Sequence, residues 1–184
     1  MEKIAARTLL AGLTPAERIN AEQTVSLVTT DSREAGPGCV FVAFPGEHFD
    51  GHDFAAKALA AGAEWVVLNH PVEGVPEEKT ILCPDSYQAM MQMGANYRAQ
   101  FAPKVVGVTG SVGKTTTKEF CAAALSALGA TIKTEGNQNN ELGLPRTLFQ
   151  IGAGTQYAVI EMGMNHAGEI SRLSRCARPD VGVI

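Results

Sequence analysis

The stretch VVGVTGSVGKTTTK, residues 105–118, decides how the chain is read. An apolar run with strand character at 105–108 passes into a turn carrying Gly110 and Gly113, and Lys114-Thr115 then opens a helix-forming segment. The two glycines let the backbone curl so that successive N–H groups point at an anion. The helix start adds its positive dipole end. Lys114 supplies a mobile cation for the outer phosphates of a triphosphate, and Thr115 offers a hydroxyl suited to Mg²⁺. The strict phosphate-loop pattern asks for Gly where Val108 stands, so the match is to the shorter G-x-x-G-K-T form. The plain alternative is a Gly-rich turn that binds nothing. Such a turn seldom places Lys-Thr directly after its last Gly between a strand and a helix.

Downstream, the pattern alternates regularly. Residues 115–128 read as a helix, 131–133 as a strand, 145–151 as a helix, 157–162 as a strand, 167–176 as a helix and 180–184 as a strand. This alternation predicts a mostly parallel sheet covered by helices. Upstream, the rhythm differs. Residues 4–13 read as a short helix, 25–30 and 39–44 as strands, 45–50 as a loop, 53–61 as a helix, 65–68 and 80–83 as short strands, and 86–101 as one long helix. Ala102-Pro103 breaks that helix, and the expected domain boundary lies there, dividing 1–102 from 103–184. The chain stops inside the apolar run at 181–184, which raises the expectation that it is part of something longer, with strands of the second sheet missing.

Two further polar clusters accompany the phosphate loop. The strand at 157–160 ends in Glu161, and MGMNH follows at 162–166. Ligands gather at the carboxyl ends of parallel strands, where a carboxylate can hold Mg²⁺ directly or through water. His166 can meet a phosphate or ligand carboxylate, or cap the next helix, and Glu169 reads as a first-turn residue favoured by the helix dipole. Between these, GNQNNELGLP at 136–145 sets Asn137, Asn139 and Asn140 in a sharply turned loop. It is either turn chemistry alone or a loop whose amides read a polar substrate.

Bulk properties set the outer limits. A net charge of -4 without a basic stripe argues against nucleic acid and anionic membrane. Cys39, Cys83, Cys121 and Cys176 lie too far apart for a zinc spacing and read as reduced thiols of a cytoplasmic protein. The first residues lack the apolar core of a signal peptide, and no stretch reaches membrane-spanning length without charge.

Taken together, the three segments at 107–119, 136–145 and 158–170 resemble the Mur ligases, which build the peptide stem of peptidoglycan. Asp31-Ser32-Arg33, the run 40–44, Gly46 and Asp50-Gly51-His52 are similar to the uridine-nucleotide domain of the same family. The resemblance implies a small N-terminal α/β UDP-substrate domain followed by a truncated P-loop, mostly parallel α/β ATPase domain. It implies an ATP-dependent ligase. The Asn loop and the Glu-x-Gly-x-Asn-His segment point to the branch that joins D-alanyl-D-alanine to UDP-N-acetylmuramoyl-tripeptide through an acyl phosphate. Gly110, Ser111, Val112, Gly113, Lys114, Thr115 and Thr116 would then bind ATP, with Lys114 catalytic. Thr115 and Glu161 would hold Mg²⁺. Ser32 and Arg33 would meet the uridine diphosphate end, an Arg being suited to a diphosphate by charge and geometry. Asn137, Asn139, Asn140 and His166 would contact substrate or metal-bound water. The expectation is a monomer that, as these 184 residues alone, does not turn over. A sister amino-acid ligase of the family, or a nucleotide-binding module without ligase activity, would share the phosphate loop.

Overall fold

The computed structural model describes residues 1–46 and 50–184, so residues 47–49 of the expected loop at 45–50 lie outside the described residues. Two compact units emerge. One is Lys3–Gln92; the other is Met93–Ile184 together with Met1–Glu2.

In the first unit, β1 (Ile4–Ala5) precedes α1 (Ala6–Leu9), and β1 pairs antiparallel with β2 (Thr24–Val25). The expected helix at 4–13 is therefore a short strand followed by a single turn, because Ile4 and Ala5 are drawn into pairing with a segment twenty residues on. The expected strand at 25–30 also divides. Ser26 N–H turns to the Gly38 carbonyl, separating β2 from β3 (Leu27–Thr29). Strands β3, β4 (Cys39–Val42), β5 (Trp65–Leu68) and β6 (Thr80–Leu82) form a parallel sheet in that order, with Phe41 beside Val66 and Val67 beside Ile81. Every residue of β4 and β5 is buried, as expected for central parallel strands covered on both faces. Helix α2 (Ala55–Ala60) places Ala55 and Ala58 on one face of that core, against Phe41, Val66 and Leu68.

Helix α3 (Ser86–Arg98) spans the division between units. The compact units part at 92/93, ahead of the domain boundary expected at 102/103. The cause is the packing of the last turns of α3. Tyr97 is fully buried; its hydroxyl donates to the Ile151 carbonyl at 2.6 Å and accepts from the Glu2 N–H at 2.8 Å. Its ring meets Phe149 edge-on at 5.5 Å. Tyr97→Phe keeps the ring and orphans both backbone groups. It is expected to cost about 1–2 kcal/mol, seen as a lower urea midpoint with an unchanged slope.

The second unit holds β7 (Lys104–Val108), α4 (Lys114–Ser126), β8 (Thr131–Lys133), α5 (Gly143–Leu148), β9 (Tyr157–Glu161), α6 (Glu169–Ala177) and β10 (Val181–Val183). Its sheet is entirely parallel, in the order β10-β7-β9-β8. Helix α4 lays Lys118, Ala122 and the partly buried Leu125 along the stripe that faces the sheet, and Ala122 packs with Val108 and Val159. Burying each such valine contributes about 1.5–3 kcal/mol. The mixed α/β class with parallel sheets is as the sequence pattern implies.

Candidate active site

Parallel order brings the carboxyl ends of β7, β8 and β9 together, and each end leads into one of the polar segments. Val108 lies in register with Glu161, and Met162 N–H donates to the Val108 carbonyl at 2.8 Å. Thr134, just past β8, accepts the Glu161 N–H on its hydroxyl at 2.9 Å. The phosphate loop, the Asn loop and Glu161 therefore start from neighbouring points.

The loop between β7 and α4 is held open by its glycines. Gly113, directly before α4, has φ 76°, a left-handed conformation that favours glycine, and no side chain caps the helix there. Uncapped N–H groups at a helix start suit an anion. Ser111, Val112, Thr115 and Thr116 are exposed around this turn. Lys114 folds back, donating from Nζ to the Gly110 carbonyl at 2.8 Å.

Glu161 is 2% exposed. Its Oε1 accepts from the Asn139 side-chain amide at 2.8 Å. Its Oε2 is buried without a hydrogen-bond partner and lies 3.6 Å from Nζ of Lys118. A buried carboxylate oxygen without a hydrogen bond at a strand end is a donor fit for a hard divalent cation. Among the described residues no group of three or more His, Cys, Asp or Glu side chains could hold a metal.

The three asparagines divide their work. Asn140 accepts on Oδ1 from the N–H groups of Leu142 and Gly143, at 3.2 and 2.8 Å, which is turn chemistry leading into α5. Asn139 is committed to Glu161, and its backbone carbonyl accepts from Gly163 N–H at 2.8 Å. Asn137 is exposed. His166 is exposed too and does not cap α6, since Gly168 precedes that helix. Glu169 does stand in the first turn of α6. Its carboxyl accepts from Asn165 N–H at 2.7 Å, and that bond, with the one from His166 N–H, holds it below the usual carboxylate range.

In the first unit, Ser32 is buried and Arg33 is exposed. The Arg33 guanidinium forks onto Asp31, Nε to Oδ1 at 2.9 Å and Nη2 to Oδ2 at 2.5 Å. Chiefly through that side-chain bond, the Asp31 carboxyl is lowered to about 2. Nearby in sequence, Asp50 Oδ1 accepts from His52 N–H at 2.9 Å and lies 2.5 Å from His52 Nδ1, while Asn69 N–H donates to His52 Nε2 at 2.9 Å. His52 is thereby tied at both ring nitrogens and acts as a structural strut.

Sequence reasoning passed over Lys118, Thr134, Glu119 and Lys133. The available signal was periodicity: Lys118 stands four residues before Ala122 on the stripe of α4 that meets the sheet.

Comparison with known proteins bears on the same segments. Residues 24–98 match the family model described as Mur ligase family, catalytic domain, and residues 108–184 match the Mur ligase middle domain. A UDP-N-acetylmuramoyl-tripeptide--D-alanyl-D-alanine ligase from Synechocystis is 44% identical over 161 residues, covering 87% of this chain and 36% of the relative. The protein of that name from Escherichia coli is 42% identical over 165 residues, covering 89% of this chain and 36% of the relative. Among solved structures, MurF from Acinetobacter baumannii superposes with a TM-score of 0.87 at 38% identity, over 99% of this chain and 40% of that one. The Thermotoga maritima MurF ligase in complex with ADP gives a TM-score of 0.76 at 37% identity, over 83% and 35%. The chain thus spans little more than a third of the length of these relatives. No helix among its described residues is long and apolar enough to cross a membrane.

Proposed function

Because the chain belongs to the Mur ligase family, we propose that it serves the ATP-dependent joining of D-alanyl-D-alanine to UDP-N-acetylmuramoyl-tripeptide, in peptidoglycan precursor synthesis. The observation that carries this reading is the meeting of an uncapped, Gly-opened helix start with a buried, half-satisfied Glu161 at adjoining strand ends.

In this reading the two units divide the substrates. The first takes the uridine diphosphate end through Ser32 and Arg33. The second takes ATP on the backbone of Gly110–Thr116 and forms the first part of the ATP-binding domain. The terminal carboxylate of the tripeptide attacks the γ-phosphorus, ADP leaves, and an acyl phosphate remains. The amine of the dipeptide then attacks the acyl carbon, phosphate departs and the amide bond is formed. Lys114 leaves the Gly110 carbonyl to stabilise charge on the moving phosphoryl group. Thr115 and Glu161 would hold Mg²⁺, which when bound offsets repulsion between the phosphates and the attacking carboxylate. Asn137, Asn140 and His166, all exposed, would contact substrate or metal-bound water, whereas Asn139 would act through Glu161. A cytoplasmic setting is in keeping with four cysteines that form no disulfide.

The test is phosphate release by the full-length protein with ATP, Mg²⁺ and UDP-N-acetylmuramoyl-tripeptide, adding D-alanyl-D-alanine or single amino acids in turn. Release that depends on the dipeptide is expected. Release with a single amino acid moves the protein to a sister step, and no release with any acceptor overturns the ligase reading.

A further inference from the structure

Lys118, one turn beyond Lys114 in α4, does not reach solvent. It is 1% exposed, and a buried ammonium is costly unless oxygens surround it. Three elements supply them. Nζ lies 3.6 Å from Glu161 Oε2 of β9, 3.4 Å from Glu119 Oε1 of α4 itself, and 3.4 Å from the Gly136 carbonyl at the head of the Asn loop. The other oxygen of Glu119 accepts from Lys133 of β8. Lys118 and Lys133 thus balance Glu119 and Glu161, and the cluster has no net charge.

Resting on the metal-site reading of Glu161 above, we infer that Lys118 is a positioning residue that makes divalent-cation binding at Glu161 conditional on nucleotide phosphates. Two facts carry the inference. First, Glu161 is gripped on both sides: Asn139 holds Oε1 by a hydrogen bond, and Lys118 faces Oε2, which has no hydrogen bond of its own. The carboxylate therefore stays oriented whether or not a cation is present, so none of its geometry has to be assembled on binding. Second, its charge is already answered. A free cation approaching Oε2 meets a carboxylate whose field Lys118 largely cancels. A di- or triphosphate seated at the start of α4 supplies the negative charge that outweighs Lys118. Cation and nucleotide are then taken up together, and the site does not trap a bare metal ion.

Mn²⁺ is the probe, counted by electron paramagnetic resonance on the full-length protein with and without ADP, beside Glu161→Gln as the reference. Wild-type protein is expected to show Glu161-dependent Mn²⁺ binding only when ADP is present. Lys118→Met is expected to gain nucleotide-free Mn²⁺ affinity of at least about tenfold, and Glu161→Gln in that background removes the gain. A gain of binding is not something a loosened fold produces, which separates positioning from a merely structural role. Nucleotide-free Mn²⁺ binding by the wild type that Glu161→Gln abolishes would overturn the inference, as would a folded Lys118→Met without the gain. Should Lys118→Met fail to fold, Lys118→Gln, which keeps a polar group beside Glu161 and removes the charge, is read in the same way. If Glu161→Gln changes nothing even with ADP, the metal-site reading itself has failed, independently of Lys118.

Discussion

Lys114→Ala in the full-length protein is expected to cut ATP-dependent phosphate release by about 1,000-fold or more while leaving the fold intact. The size follows from the chemistry. Phosphoryl transfer leaves the protein little covalent work, so positioning and charge stabilisation supply most of the acceleration, and Lys114 is the mobile cation at the head of α4. The intact fold follows from the structure. Lys114 is partly exposed and its ammonium rests on the Gly110 carbonyl. Removing such a side chain changes stability by no more than about 0.5 kcal/mol. Steady-state phosphate release and a urea unfolding curve on the same preparation check both halves. A folded variant with a near-normal rate would remove the phosphate loop from the reaction.

Gly143→Ala is expected to harm stability and turnover together. A Cβ at position 143 would stand 2.5 Å from Gln138 Cα and 2.6 Å from its carbonyl carbon. Those are backbone atoms, which cannot step aside as the end of a flexible side chain can, so the Asn loop has to move. Overpacking of this kind costs about 1–3 kcal/mol. The loop also carries Asn139, whose amide fixes Oε1 of Glu161, and Gly136, whose carbonyl receives Lys118. A shift of about 1 Å at a reacting centre can lower a rate roughly 100-fold. The expected result is a lower unfolding midpoint together with a fall in kcat that added Mg²⁺ does not restore. Wild-type kcat in a destabilised variant would show that the loop does not position Glu161.

Where the sequence was legible, local pattern sufficed. The uninterrupted apolar runs at 65–68 and 105–108 are buried parallel strands, and β8 occupies the residues that its isolated run at 131–133 marked. The phosphate loop showed itself because glycine, lysine and threonine are contiguous there. What stayed hidden depends on partners distant in the chain. Ile4 and Ala5 carry helix-like apolar spacing until Thr24 and Val25 offer a strand edge. Asn139 reads as a free amide because its acceptor, Glu161, arrives only through the sheet, 22 residues later. Lys118 drew no reading, and only the seating of α4 on β7 and β9 makes it a buried counter-charge. A proline marks where a helix stops, whereas the compact units also reflect where Tyr97 is anchored.

That anchor also has a bearing on the order of events at the ribosome. The Glu2 N–H is received by Tyr97, and the Glu2 carboxylate accepts from Ala153 N–H, so residue 2 is fastened by residues far along the chain. Synthesis is vectorial and domains generally fold as they emerge, yet here the start of the chain stays unfastened until residue 153 has been delivered. The stretch 3–92 has by then had time to form its own sheet, and closing so long a loop costs little more entropy than closing one half its length. Residues 1–2 thus act as a clasp that closes on the second unit only after the stretch 3–92 has been made, and a bulky group beside Glu2 would burden that step.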